Sequence, residues 1–372
     1  MKKNHVILGL VVLAAMATLL VWGWHRSGFK LSEFQSQLAS ADWWKIGIAV
    51  GCIYFAYLIR AARWALLLRH SKKVPLFSLL GTQVIGFTAV ALIGRVADLV
   101  RPYLVAKKTS LPLSSQVAVY VVERLFDAGS MALIFSVAMI WVPTDEILRA
   151  AAHSGPLARL ALHHRELALL LVRFGGLALT LAGALFVITV RMAGEAVASF
   201  FEHALAPVSK TLGNSIAQKI LTFRSGLDTV RSLSDFAIAA SISLAMWLII
   251  ACAYFEGCRA FVKSHELASI TPSKCVLMMI ASGGASIIQL PVLGWFSQIG
   301  LVVVALSLVL GASAEASTAC AATLLLVTFL SIIPVGLIWA QLDHVSLRKV
   351  TRESENQAEE LSEDKPTGET AP

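Results

Sequence analysis

Long apolar runs separated by short charged loops set the pattern of this chain. Windows 6–24, 46–68, 115–142, 167–190, 236–262 and 318–340 are continuously hydrophobic. At about 1.5 Å of helical rise per residue, each is long enough to cross a hydrocarbon core of roughly 30 Å. The runs do not alternate between apolar and polar positions, so helices rather than barrel strands are the spanning form. Three further stretches, 76–93, 275–291 and 296–312, are shorter or broken by glycine and proline. The pattern predicts an all-α, polytopic transmembrane helix bundle.

Loop charges orient that bundle, because basic residues stay on the cytoplasmic side. Lys2 and Lys3 place the N-terminus inside; Arg69, Lys72 and Lys73 follow the second window, and Arg191, Lys210, Lys219, Arg224 and Arg231 precede residue 236. The loop at 94–112, with Arg95, Arg101, Lys107 and Lys108, belongs inside as well. A single crossing by 76–93 would then have both flanks on one side. A re-entrant hairpin removes the contradiction, with 76–93 entering, 97–106 returning, and Gly81, Gly86 and Gly94 allowing the break. Residues 275–312 hold Gly283, Gly284, Pro291 and Gly294, with no Lys or Arg between Lys274 and Arg348, and read as a matching hairpin from the outside. Two ordinary spans at 275–291 and 296–312 satisfy the same end topology. With hairpins, span–hairpin–span over 46–142 recurs in opposite sense over 236–340, an inverted repeat whose broken segments point to a transporter site.

Three regions follow: an N-terminal anchor helix and outer loop at 1–44, a transmembrane domain at 45–340, and a tail at 341–372. Within the domain, 191–233 is an amphipathic cytoplasmic connection. Leu212, Ile216, Ile220, Phe223, Leu227 and Val230 recur at helical spacing opposite Asn214, Gln218, Ser225, Asp228 and Arg231. The expected resting place is the membrane surface, with a soluble coiled-coil contact as the alternative. The tail is acidic and low in aromatics, which predicts disorder.

Composition closes off several function classes. The chain has 372 residues, is 57% hydrophobic and has a mean hydropathy of +0.74, which excludes a soluble protein. The net charge is +8, but from Val350 onward the balance is −5, so the remainder carries +13 in short loops where it attracts anionic headgroups. These basic residues are scattered between spans and form no nucleic-acid patch. Cys52, Cys252, Cys258, Cys275 and Cys320 have no CxxC partner and read as packing residues rather than disulfide or zinc ligands. Val6–Trp24 follows two lysines like a signal sequence but lacks a small-x-small cleavage site, and reads as a retained anchor.

The candidate chemistry is the set of charges placed in or beside the spans: Arg60, Arg63, Arg95, Asp98, Arg101, Glu123, Arg124 and Asp127. Each ionised group near a bilayer centre costs roughly 2.5–3.5 kcal/mol on insertion scales. Glu123 and Asp127 are four apart and share a helix face, with Arg124 turned away; Asp98 and Arg101 are three apart and can pair, as can Glu256 and Arg259. Two readings are open: interhelical salt bridges that fix the bundle, or guanidinium groups that grip a lipid phosphate. Arginines outnumber acids in the set, which favours the second for the arginines. No phosphate-binding Gly-x-x-x-x-Gly-Lys loop, aspartate-rich magnesium motif or Ser-His-Asp arrangement is present, and His163, His164 and Glu166 lack metal-ligand spacing. No catalytic residue, metal or cofactor is expected.

Four segments resemble the lysylphosphatidylglycerol synthase transmembrane-region family, also called flippase-like domain proteins. Arg60-Ala61-Ala62-Arg63-Trp64 with Leu67-Leu68 is similar to its Arg-x-x-Arg-Trp-x-x-Leu-Leu segment. Gly94 to Arg101 resembles its Pro-x-Arg-x-Gly-Glu-x-x-Arg loop, with Asp98 in place of glutamate, and Val122 to Asp127 its Val-x-Glu-Arg-x-x-Asp helix. Gln289 to Gln298 is similar to the glycine-rich loop, although Trp295 and Phe296 stand where glycines are usual. The resemblance covers about residues 45–340. It implies an integral membrane lipid translocator, binding a phospholipid, aminoacyl-phospholipid or polyprenyl-linked lipid by its phosphate through Arg60, Arg63, Arg95, Asp98, Arg101, Glu123, Arg124 and Asp127. Gly94, Pro291, Gly294 and Gln298 would mark the broken helices. Glu123 and Asp127 would position the arginines or contact a headgroup amine. The separate lysyl-transferring domain has no counterpart among the polar residues after Gln341. The alternative is a membrane-embedded enzyme or accessory subunit of lipid or glycolipid biosynthesis. Partners would be membrane lipids with anionic or phosphate-bearing headgroups and a lipid-modifying enzyme, with both termini on the cytoplasmic side of the inner membrane.

Overall fold

Local caps decide where the apolar windows begin and end as helices. The structure, a computed structural model, describes residues 29–145, 164–205, 207, 209–226, 232–285 and 293–363. The anchor window 6–24 and Pro291 lie outside these residues. Helix α1 (Leu31–Ala39) precedes α2 (Trp43–Leu68), whose N-cap Asp42 accepts from the Trp44 and Lys45 backbone N–H groups at 3.1 and 3.4 Å. Helices α3 (Leu76–Ile93) and α5 (Leu113–Ile140) each start behind a proline, Pro75 and Pro112, where a missing N–H costs the helix nothing. Between them Gly94 takes φ +94°, a backbone state that a side chain would strain. The chain turns there through a 3-10 turn (Arg95–Leu99) into α4 (Val100–Thr109), which folds back on α3. This is the expected first hairpin.

Helix α6 (Arg165–Leu205) is continuous past the predicted span and kinks at Ala193, with φ −133° and ψ 37°. Its last turns pair with α7 (Lys210–Gly226). Ala217 and Ile220 of α7 are buried in a cluster with Val190 and Ala198 of α6, so this part of its apolar face packs on protein. A Ser232–Asp235 capping box opens α8 (Leu233–Arg259). Helices α9 (Pro272–Ala285) and α10 (Leu293–Leu310) pack on one another as a second hairpin. Helix α11 (Ala314–Leu325) passes through a π-helical turn (Leu326–Leu330) into α12 (Ile332–Leu342), where Pro334 cannot donate a backbone hydrogen bond.

The tail expected to be disordered is helical over Leu347–Glu363, as α13. Composition misses it because one stripe is buried: Val350, Thr351 and Ser354 lie on the side that packs on α4 and the 3-10 turn. Tyr103 donates to Glu353 Oε2 at 2.7 Å, and Lys108 meets Asp343 at 2.6 Å.

Among the described residues, five helical stretches are long and apolar enough to span: Trp43–Leu68, Leu76–Ile93, Arg165–Leu205, Ser234–Arg259 and Ala314–Leu342. At 28 residues α5 is also long enough, but Glu123, Arg124 and Asp127 interrupt its apolar character. The molecule is an all-α membrane bundle.

Its two halves pack alike. Helix α2 lies on α3 as α8 lies on α9, and α4 meets α5 as α10 meets α11. Across the halves, α3 packs on α12 and α9 on α5. The central pair, α2 and α8, runs antiparallel: Arg69 at the end of α2 pairs with Asp235 at the start of α8, while Asp42 N–H donates to Ala260 C=O at 2.8 Å at the other end. Inverted halves require that antiparallel contact. Small residues set the close approaches: a Cβ on Gly336 of α12 would collide with Thr88 of α3, whose hydroxyl donates to Ile332 C=O at 3.2 Å.

Candidate functional site: a buried arginine–carboxylate cluster

The helix spacings read from the sequence bring charges from three elements to one place. Arg60 and Arg63, three apart on α2, face Glu123 and Asp127, four apart on α5. Arg101 arrives from α4 on the returning arm of the first hairpin. Gly86 of α3 makes room for it, since a Cβ there would overlap the Arg101 side chain. Glu123 and Asp127 are ten and fourteen residues past Leu113, so by helical rise they lie about 15 to 21 Å along α5.

Two carboxylates serve four guanidiniums. Glu123 Oε1 accepts from Arg63 at 2.7 Å, Arg124 at 3.1 Å, Arg101 at 3.3 Å and Arg60 at 3.4 Å. Its Oε2 accepts from Arg101 at 3.4 Å. Asp127 Oδ1 accepts from Arg63 at 2.7 Å and from the Trp247 indole N–H of α8 at 3.1 Å. Its Oδ2 lies 2.9 Å from Arg124 and 3.6 Å from Arg60. The Ser243 hydroxyl of α8 accepts from Arg63 at 2.6 Å, and Gln83 of α3 accepts from Arg101 at 2.9 Å.

Aromatic faces complete the lining. Arg60 and Arg101 sit 4.7 and 4.5 Å from the Phe87 ring centroid, and Arg101 and Arg124 sit 5.0 and 5.2 Å from that of Tyr120. Arg63 and Arg101 are 0% and 1% exposed, whereas the Arg124 side chain keeps 39% of its surface open. Arginine stays charged in such surroundings. The cluster therefore holds four positive charges against two negative ones, in a setting where an unpaired charge is costly.

The other expected residues distribute differently. Asp98, in the 3-10 turn, acts on Arg124 through its charge, and Arg101 turns to Glu123 and Gln83 rather than to Asp98. Arg95 lies in the same turn, but its side chain is outside what the structure describes. Gly94 is the hinge of the first hairpin; Gly294 sits in the first turn of α10 with helical backbone, so it is no break point there. Glu256 and Arg259 pair at 3.7 Å as expected, and the cysteines are free thiols.

Gln298 belongs to a second, neutral node. Its amide donates to the Ser282 hydroxyl at 2.7 Å, and the Tyr254 hydroxyl donates to the same oxygen at 2.8 Å. Thr328, in the π-helical turn, donates to the Leu324 C=O at 2.7 Å. The two nodes occupy equivalent places in the halves. Arg63 and Tyr254 lie five residues before the ends of α2 and α8, and Asp127 and Thr328 lie fourteen residues past Leu113 and Ala314. Gln83–Arg101 bridges one hairpin and Ser282–Gln298 the other.

Sequence reasoning overlooked Gln83, Ser243, Trp247, the Trp64 ring 5.7 Å from Arg101, Gln116, which accepts from the Trp64 indole at 3.4 Å, and the node around Tyr254. Gln83 and Gln116 carried a usable signal, as uncharged amides inside otherwise apolar windows; Ser243 carried none, because a lone serine is ordinary in a span.

No curated protein matches the chain, and no solved structure does either. The family model described as the lysylphosphatidylglycerol synthase TM region matches residues 6–342. With the arginine and carboxylate segments inside that match, the chain belongs to the lysylphosphatidylglycerol synthase transmembrane-region family.

Proposed function

We propose that this chain is a lipid translocator of the inner membrane, which seats a phosphate-bearing headgroup at the arginine cluster while the acyl tails stay in lipid. The observation that carries the reading is the charge imbalance: Glu123 and Asp127 answer only part of the charge of Arg60, Arg63, Arg101 and Arg124. A guanidinium binds phosphate through paired N–H donors, which makes an anionic headgroup the natural counter-ion. The inverted halves, each with a hairpin beside a polar node, suit a carrier that works from both leaflets. The family description names a lipid synthase, which agrees with a lipid ligand. Arg69, Lys72, Lys73, Lys107 and Lys108 share one end of the bundle with Arg348 and Lys349, and that end is assigned to the cytoplasm, with both termini. The chain acts without catalysis of its own, beside a lipid-modifying enzyme.

A second reading has its own observation: every described guanidinium of the cluster lies within 3.4 Å of Glu123, so the network would serve as a clamp on α2, α4 and α5. Reconstituted liposomes separate the two. Fluorescent phospholipids and polyprenyl phosphates should exchange leaflets faster in protein-loaded than in empty vesicles, and Arg124→Gln should slow the exchange at unchanged protein content. Equal exchange in both vesicle types across the panel contradicts translocation and leaves the clamp.

A further inference from the structure

Helix α4 is gripped from two sides. Its Arg101 reaches Gln83 of α3 and Glu123 of α5 at 2.9 and 3.3 Å. Tyr103, two residues on and so about 200° around the helix, donates to Glu353 of α13 at 2.7 Å. Val350 of α13 is buried in one cluster with Ala97 of the 3-10 turn and with Val100, Tyr103 and Leu104 of α4, and Leu347 packs against it. A helix of ten residues does not hold itself in place, so the seat of Arg101 depends on both grips. Helix α13 also joins the two halves. Helix α12, in the second half, packs on α3, and the link 343–346, turned at His344 with φ +52°, carries the chain onto the other arm of the same hairpin. Lys108 of α4 meets Asp343 of that link at 2.6 Å.

This contact is thin enough to be reversible. Among the described side chains of α13, Val350 is the one apolar group that is fully buried. The buried Thr351 and Ser354 hydroxyls donate back to the Leu347 and Thr351 C=O groups, each at 2.8 Å, instead of across to the hairpin. Arg348, Lys349 and Arg352 are exposed, so an undocked α13 rests readily in water. With α13 docked, Arg63, Arg101 and Glu123 are 0%, 1% and 1% exposed. Whatever reaches Arg63 or Arg101 must first move a neighbouring helix, and α4 is the shortest of those that line the cluster. We propose that α13 is an autoinhibitory strap: docked, it holds α4 where the arginine cluster is buried, and its release lets the hairpin open and admits the anion. The anion belongs to the headgroup reading above, but access to the cluster is measurable without any lipid ligand.

The test treats the full chain in detergent micelles with phenylglyoxal, which modifies accessible guanidiniums, and follows Arg101 by peptide mass spectrometry. Val350→Asp puts a charge into the buried stripe, and a chain ending at Ser346 removes α13 outright. In both, Arg101 should be modified at least fivefold faster than in the parent, whereas Arg352→Gln, on the exposed side of α13, should match the parent. Iodoacetamide labelling of Cys320, which is 0% exposed in the second half, reports the fold and should stay slow. Parent-like modification of Arg101 in the shortened chain overturns the inference. So does a rise at Arg101 matched by one at Cys320, which marks general loosening. In liposomes the shortened chain should exchange phospholipid at least twofold faster than the parent. Slower exchange with Arg101 opened makes α13 a support rather than an inhibitor and also overturns the inference. No exchange by either chain, with Arg101 opened, removes the translocation reading and sustains the strap.

Discussion

Glu123 is the residue on which the cluster's balance turns. Replacing it by glutamine leaves four guanidiniums with one carboxylate in a buried setting, and breaking such a network costs roughly 3–5 kcal/mol. Thermal unfolding in detergent should show Glu123→Gln as far less stable than Arg124→Gln, whose side chain is already part-exposed. Gly86→Ala tests the seat of Arg101 by another route: the added methyl displaces that side chain, so anion binding should fall. Gly47→Ala, which meets only open space, should bind as the parent chain does. On the neutral node, Tyr254→Phe removes one buried hydroxyl bond to Ser282 and should cost about 0.5–1 kcal/mol in the same melt, in line with interhelical bonds in membranes. The charged residues of the cluster were visible in the sequence because charge in an apolar window is rare. Their partners were not, because Ser243 and Trp247 become part of the site only when α8 packs against α2 and α5.

Elements were legible to the extent that length and hydrophobicity define them. The window 76–93 coincides with α3, and 46–68 differs from α2 only at its start, where the Asp42 cap admits Trp43, Trp44 and Lys45 to the helix. Loop charge alone pointed to the first hairpin, and Gly94 supplies its turn. Composition failed where helices are polar overall but have one buried stripe. Helix α13 shows this most clearly, since its acids suggested disorder while Val350 and Ser354 are buried against the first hairpin. Its docking should depend on pH. The hydrogen bond from Tyr103, aided by Lys107 and Lys349, holds the Glu353 carboxyl below its ordinary range. A group lowered in the folded state adds stability above its unfolded pKa of about 4.3 and loses that contribution as pH falls through the lower folded value. Hydrogen exchange of α13 amides, corrected for intrinsic rates, should therefore show stronger protection at pH 6 than near pH 3, and Glu353→Gln should flatten the difference. Equal protection at both values would detach α13 from this bond.

At the scale of the whole molecule, two inverted halves share one architecture but differ in chemistry. One carries arginines and carboxylates, the other a tyrosine, a serine and a glutamine in matching places. A structural clamp alone gives no reason for that asymmetry, because both halves pack the same kind of hairpin. A carrier does: one node holds the headgroup's charge and the other offers only hydroxyl and amide contacts. The central claim is that phosphate sits on the buried guanidiniums. It is tested most directly by phosphorus–nitrogen dipolar dephasing in solid-state NMR, with arginine guanidinium nitrogens labelled and phosphatidate as the sole phosphorus source in galactolipid bilayers. Dephasing of water-protected guanidinium signals, lost when Arg101 and Arg124 are both replaced by glutamine, is the predicted result. Dephasing confined to water-exposed arginines, and unchanged in that double variant, would contradict it.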